Sequence, residues 1–301
     1  MIVIETENLT KRFGETLAVK NLNLEVPKGG VFGFLGENGA GKTTTIKLLL
    51  GLLKPDEGRA KVLGEEVTLD GGEFRKKVGY VPESRAVYPY FTVEEIIKFT
   101  ASFYKKWDEK KIERYLKIFN LPLKKRVKSL SKGMRAQLSL LLALGHSPEI
   151  LILDEPTEGM DPVARREFLT TIINELLSNE TTIFLSSHIL TEVERVADYI
   201  GLIHKGNLIT SGPLEKIKEE NFRLKTVFSR NLQKEELLRV KGVLEASGEG
   251  NTWVLEVKGD FSQIEKELSE LGVQNLERVH LNLEEIFFRY VEVEKDENSF
   301  L

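Results

Sequence analysis

The chain contains no cysteine. Disulfides, thiolate zinc sites, iron–sulfur clusters and cysteine nucleophiles are therefore excluded together, and a reducing compartment is a compatible setting. Long hydrophobic runs are missing as well. A membrane span needs about 20 mainly apolar residues, whereas the longest uninterrupted apolar run is Leu140 to Leu144. The start, Met1-Ile-Val-Ile-Glu-Thr-Glu7, lacks the basic residues and apolar stretch of a signal peptide. The chain is thus expected neither to be secreted nor to span a membrane by itself. Excess positive charge is absent too: the net charge is −4, where a general nucleic-acid binder is basic, so no nucleic-acid partner is expected. What remains is 301 residues, 41% hydrophobic and 30% charged, a soluble globular composition long enough for about two domains.

Charge divides the chain unevenly. Residues 1–214 carry 28 acidic and 30 basic side chains, and residues 215–301 carry 19 and 13. A turn-like Thr210-Ser-Gly-Pro213 precedes the change, which predicts domains at 1–214 and 215–301. In the first, short apolar runs at Val31–Leu35, Ile150–Leu153 and Thr182–Leu185 read as strands of a parallel sheet. Helical patterns at Thr43–Leu53, Pro162–Leu177 and Ile189–Ala197 follow strands, so an α/β fold is predicted. Three helical stretches, Thr92–Lys105, Glu109–Phe119 and Ser131–Gly145, interrupt that rhythm as an inserted helical subdomain, about 84–146. The first 30 residues alternate apolar and polar in the manner of an antiparallel sheet. The second domain reads β-α-β-β-α-β with a closing helix Leu283–Val291, a small α+β module of ferredoxin-like order, its hairpin turning at Gly248-Glu-Gly-Asn251.

Gly36-Glu-Asn-Gly-Ala-Gly-Lys-Thr43 stands between a predicted strand and a predicted helix, the context a P-loop requires. Glycines let successive backbone N–H groups point into one concave nest for phosphate oxygens, and the helix beginning near Gly41 adds its positive end. Asn38, Gly39, Ala40, Gly41, Lys42, Thr43 and Thr44 are the candidate nucleotide-binding residues. Lys42 would reach the β- and γ-phosphates and the Thr43 hydroxyl would ligate Mg²⁺. A Gly-rich turn with a surface lysine is the plain alternative. Ile150-Leu-Ile-Leu-Asp-Glu155 is an apolar strand ending in two carboxylates. Pleating points neighbours in different directions, so Asp154 suits Mg²⁺ and Glu155 would be free to deprotonate an attacking water. No Asn-Lys-x-Asp motif for reading guanine occurs.

These motifs, in this order, resemble the ATP-binding subunit of an ABC transporter over about residues 1–214. The family's Leu-Ser-Gly-Gly-Gln signature corresponds to Leu130-Ser-Lys-Gly-Met134, its adenine-stacking aromatic to Phe13, its D-loop to Glu158-Gly-Met-Asp161 and its switch histidine to His188. Read alone, Phe13 is a packing residue and Ser131 an ordinary helix N-cap; His146, His204 and His280 are read as structural or solvated. The chain departs from the family in having Val81-Pro-Glu83 where Pro-Gln is usual, and Lys132 and Met134 in the signature. Both departures resemble the exporter-type subfamily that pairs with a separate six-helix permease and carries a short C-terminal accessory domain. The resemblance implies ATP and Mg²⁺ as cofactors, with Thr43, Asp154 and Glu83 near the metal and Glu155, His188 and Glu83 catalytic. It further implies a head-to-tail homodimer in which Ser131 and Gly133 of one subunit grip the nucleotide of the other. Such a chain would sit peripherally on the cytoplasmic face of the cell membrane, touching it only through the permease. Two rivals remain: a soluble ABC ATPase acting on nucleic acid or ribosomes, and a module that binds ATP without cleaving it.

Overall fold

The structure is a computed structural model that describes residues 1–84, 87–161, 165–166, 168–170, 172–173 and 181–298. It forms two compact units, Met1–Ser211 and Gly212–Leu301.

The first unit is built on two sheets. Strands β1 (Ile2–Phe13), β2 (Thr16–Leu22), β3 (Glu25–Pro27), β5 (Glu57–Val62) and β6 (Glu65–Glu66) make an antiparallel sheet of order β2-β1-β5-β6, with β3 also paired to β1. The second sheet has the order β11-β10-β4-β9-β8-β7, drawn from β4 (Val31–Leu35), β7 (Val78–Val81), β8 (Ile150–Asp154), β9 (Thr182–Ser187), β10 (Tyr199–His204) and β11 (Asn207–Pro213). From β10 across to β7 the pairing is parallel throughout. Every residue of β4, β8 and β9 is buried, which is why their apolar residues come as short runs rather than alternating with polar ones. One core joins the two sheets: Val3, Leu22 and Val26 from the antiparallel sheet meet Phe32, Phe34, Ile152 and Phe184 from the parallel one. Phe32 and Phe184 stack at 5.6 Å, and burying each such ring is worth about 1.5–3 kcal/mol.

Helix α1 (Lys42–Leu49) follows β4 directly. The sequence pattern carries it to Leu53, but the helix stops earlier because Gly51 takes a left-handed φ of 63°, a common helix terminator. A Cβ at that position would lie 2.5 Å from the Thr68 carbonyl oxygen. Between β7 and β8 come α2 (Val93–Ala101), α3 (Glu109–Ile118) and α4 (Lys132–Leu144), with no strand among the described residues there. Each begins at a side-chain cap: Thr92 with Glu95 in a reciprocal box, Asp108, and Ser131. The helix expected over Ile189–Ala197 is a single turn, α5 (Leu190–Val193). It ends because the chain must swing back into β10, where the Asp198 carboxylate accepts the Val31 N–H at 2.8 Å. The helix expected at Pro162–Leu177 falls largely outside the described residues.

The second unit opens with α6 (Leu214–Glu220) and continues through β12 (Asn221–Phe228), α7 (Lys234–Leu237), β13 (Val243–Glu249), β14 (Thr252–Lys258), α8 (Phe261–Glu270), β15 (Val273–His280) and α9 (Leu283–Asn298). Its sheet is antiparallel throughout, in the order β13-β14-β12-β15. Alternate residues Phe222, Leu224 and Phe228 of β12 and Trp253, Leu255 and Val257 of β14 share a core with Leu237, Ile264 and Leu268 from α7 and α8. The hairpin turns at Gly250, whose φ of 64° suits glycine.

Candidate functional site

Strand β4 delivers the chain to a loop, residues 36–41, that must pass close to its neighbours. A Cβ on Gly36 would stand 2.1 Å from the Ile203 carbonyl oxygen, and one on Gly41 would stand 2.2 Å from that of Ala18. Gly39 and Gly41 have φ values of 81° and 109°, open to glycine at no steric cost. Gly41 is the N-cap of α1, so the positive end of the helix faces the loop's concavity. Gly41→Ala is expected to cost about 2 kcal/mol from the left-handed backbone alone. A fall in melting temperature of about 4–8 °C, with weaker ATP binding, would register it.

Lys42 is almost wholly buried. Its Nζ donates to the carbonyl oxygens of Gly36 at 2.7 Å and Glu37 at 3.0 Å, and stands 3.1 Å from Glu155 Oε1. The Thr43 hydroxyl donates to Asp154 Oδ1 at 3.2 Å. Asp154 ends β8 opposite Ser186 of β9, whose hydroxyl donates to the same Oδ1 at 2.7 Å. Asp154 is fully buried, and Oδ2 has no partner among the described residues. Burial pushes its pKa up, opposed by the hydrogen bonds from Ser186 and Thr43.

Glu155 follows with φ at 44°, a left-handed value rare for a side chain of this size. Its backbone N–H donates to Ser186 Oγ at 3.0 Å, and His188 Nδ1 approaches Glu155 Oε2 to 2.8 Å. The Glu155 carboxylate is therefore paired within the site. Lys42 and His188 hold one oxygen each.

A cavity of about 240 Å³ opens between these parts, lined by Asn38, Gly39, Gly41, Lys42, Thr43, Thr44, Glu83, Glu155 and His188. Ala18 and Glu158 also line it, and neither is among the residues singled out from sequence as binding or catalytic. Glu83 makes itself felt on Tyr80, whose hydroxyl is pushed up to about 12 by burial together with Asp154 and Glu83. Ala40 is buried within the loop. Phe13 lies apart, half-exposed at the end of β1 with Lys11 Nζ 5.7 Å above its ring. Ser131 and Gly133 also lie outside the cavity lining; Ser131 caps α4, its hydroxyl accepting the Met134 N–H at 3.2 Å.

Oxygen donors suit Mg²⁺, which is usually held by one or two carboxylates together with substrate phosphates. The unpartnered Asp154 Oδ2 beside the Thr43 hydroxyl fits that ion. Among the described residues no cluster of three or more His, Cys, Asp or Glu offers an all-protein cage. Nor is any described helix long and apolar enough to cross a membrane.

The family model described as "ABC transporter" matches residues 19–158. The bacitracin transport ATP-binding protein BcrA of Bacillus licheniformis is 39% identical over 221 residues, 73% of this chain and 72% of that protein. The uncharacterized ABC transporter ATP-binding protein YcbN of Bacillus subtilis (strain 168) is 30% identical over 302 residues, 96% and 97% of the two chains. Among solved structures, an ATP-binding subunit of an ABC transporter superposes with a TM-score of 0.64 at 31% identity, covering 72% of this chain and 92% of its own.

Proposed function

Since the chain belongs to the ATP-binding subunits of ABC transporters, and is an ATPase that serves transport, we propose how its residues divide the work. The 38–44 loop and the end of α1 cradle the phosphates, with Lys42 moving its charge onto them, and Phe13 stacks on adenine. Thr43 and Asp154 would hold Mg²⁺, with Glu83 at the edge of the same cavity; the ion would neutralise charge building on the phosphate oxygens. Glu155 takes a proton from a water that attacks the γ-phosphorus, the bond to the leaving diphosphate oxygen breaks, and His188 fixes the carboxylate through Nδ1. The observation that carries this reading is the convergence on Glu155 of Lys42 at 3.1 Å and His188 at 2.8 Å, beside Asp154.

Ser131 and Gly133 lie away from that cavity, which supports a head-to-tail homodimer in which they close the partner's nucleotide site. Two-fold pairing of identical patches is the commonest closed assembly. A membrane permease is the further partner, and export the direction, in keeping with the transport role in the name of BcrA. The chain then works at the cytoplasmic face of the membrane without entering it. Its acidic second unit serves self-association or regulation.

The surface offered to the permease is aromatic. Tyr88, Phe91, Phe99 and Phe103 form a chain of rings 5.0–5.5 Å apart, with Tyr88 59%, Tyr90 73% and Phe103 70% exposed. Exposed apolar patches of this kind mark interaction sites, and this one follows Glu83 in the chain, so nucleotide-driven movement there would reach a bound partner. Pull-down from detergent-extracted membranes of the source organism is expected to recover a multi-span membrane protein. Phe103→Asp with Tyr90→Asp should cut that recovery about tenfold, as loss of central aromatic anchors does. Recovery with ribosomes or nucleic acid instead would favour the soluble rival.

A further inference from the structure

Arg165 is tied to two segments that both feed the phosphate cavity, and neither Arg165 nor its partner Glu192 belongs to the motifs described so far. Its NH2 donates to the Met160 carbonyl oxygen at 2.9 Å, and its NH1 to Glu192 Oε1 at 3.0 Å. Met160 closes the loop that leaves Glu155: the Glu158 N–H donates to the Glu155 carbonyl and the Met160 N–H to that of Thr157. Glu192 sits on α5, which starts two residues beyond His188. The guanidinium thus joins the loop carrying Glu155 and Glu158 to the segment carrying His188.

Arginine and a carboxylate frequently pair through two parallel bonds, but here the fork is divided between a carboxylate and a backbone carbonyl. The remaining groups, Arg165 Nε and Glu192 Oε2, are buried and have no partner among the described residues. Leaving buried polar groups unmet is unfavourable. A simple surface ion pair would have closed its second bond. The divided geometry sacrifices that bond to hold the loop and α5 in one register.

We propose that Arg165 is a positioning residue for hydrolysis: through Met160 and Glu192 it sets the distance between Glu155 and His188. This rests on the reading that Glu155 and His188 carry the chemistry. Lysine could not replace arginine fully, since its donors radiate from one nitrogen and do not reproduce the spacing of NH1 and NH2 across a rigid planar fork.

The test compares kcat and KM for ATP in the full chain and in R165M, R165K, E192A and the R165M/E192A double variant, with E155Q and H188A alongside. R165M and E192A should each lower kcat about tenfold or more, because small displacements of reacting groups carry penalties of that size. KM should stay within about twofold, and the double variant should be no slower than the slower single one, as expected when both act through one shared contact. R165K should recover part of the loss. Native kcat in R165M while E155Q and H188A are inactive would overturn the assignment of Arg165 alone. So would losses that multiply in the double variant, or a fall confined to the melting temperature. Native turnover in E155Q and H188A would instead remove the reading on which the proposal stands.

Discussion

Lys42→Ala is expected to abolish ATP binding within the range of an equilibrium titration. The ammonium is buried and already desolvated, so its bonds to phosphate oxygens would form without the usual solvation cost of a surface lysine. Each charge-assisted hydrogen bond contributes about 1.5–3 kcal/mol, and two of them correspond to a loss of roughly a hundredfold to ten-thousandfold in affinity. Removing the cation also leaves Glu155, one of its present partners at 3.1 Å, as an added negative charge beside the phosphates. The two effects have the same sign. A melting curve close to that of the parent chain would show that the loop, and not the fold, has failed. Undiminished affinity for ATP would contradict the assignment of this loop to phosphate.

Glu155→Gln should separate binding from cleavage. The amide keeps the shape and one accepting oxygen, so the contact with His188 can persist, but it cannot take a proton at neutral pH. General-base contributions are worth about 10²–10⁴ in rate; phosphate release should fall by that factor while ATP still binds. With cleavage blocked, ATP-bound chains should accumulate as a two-chain species in sedimentation velocity, and dilution into nucleotide-free buffer should return them to one. A variant releasing phosphate at the parental rate would show that another group is the base.

Much of this site was legible in the sequence because its parts are local. The loop at 36–43 announces itself through spacing, and its strand and helix through apolar patterning on either side. Asp154 and Glu155 likewise stand at the end of an apolar strand. Ser186 was not legible as a site residue. Its hydroxyl matters only because β8 and β9 pair in the register that sets Asp154 against Ser186, and register between distant strands is a property of the fold. The bond between Lys42 and Glu155 was hidden for the same reason. Strand β7, four residues with a glycine among them, gives too short a pattern to tell from a loop. In the second unit, by contrast, alternation in β12 and β14 and the glycine-rich turn before Thr252 are enough to order the strands, since one buried face leaves a period of two.

The left-handed backbone at Glu155 has a wider consequence. An L-residue with a full side chain held there costs about 1–2 kcal/mol over a relaxed conformation, a sum that glycine would escape and asparagine would lessen. On the proposed role of Glu155, heat resistance and turnover pull in opposite directions at that one position. With Glu155 as the proposed base, glycine there should raise the melting temperature while removing phosphate release, a trade that the two measurements together would show.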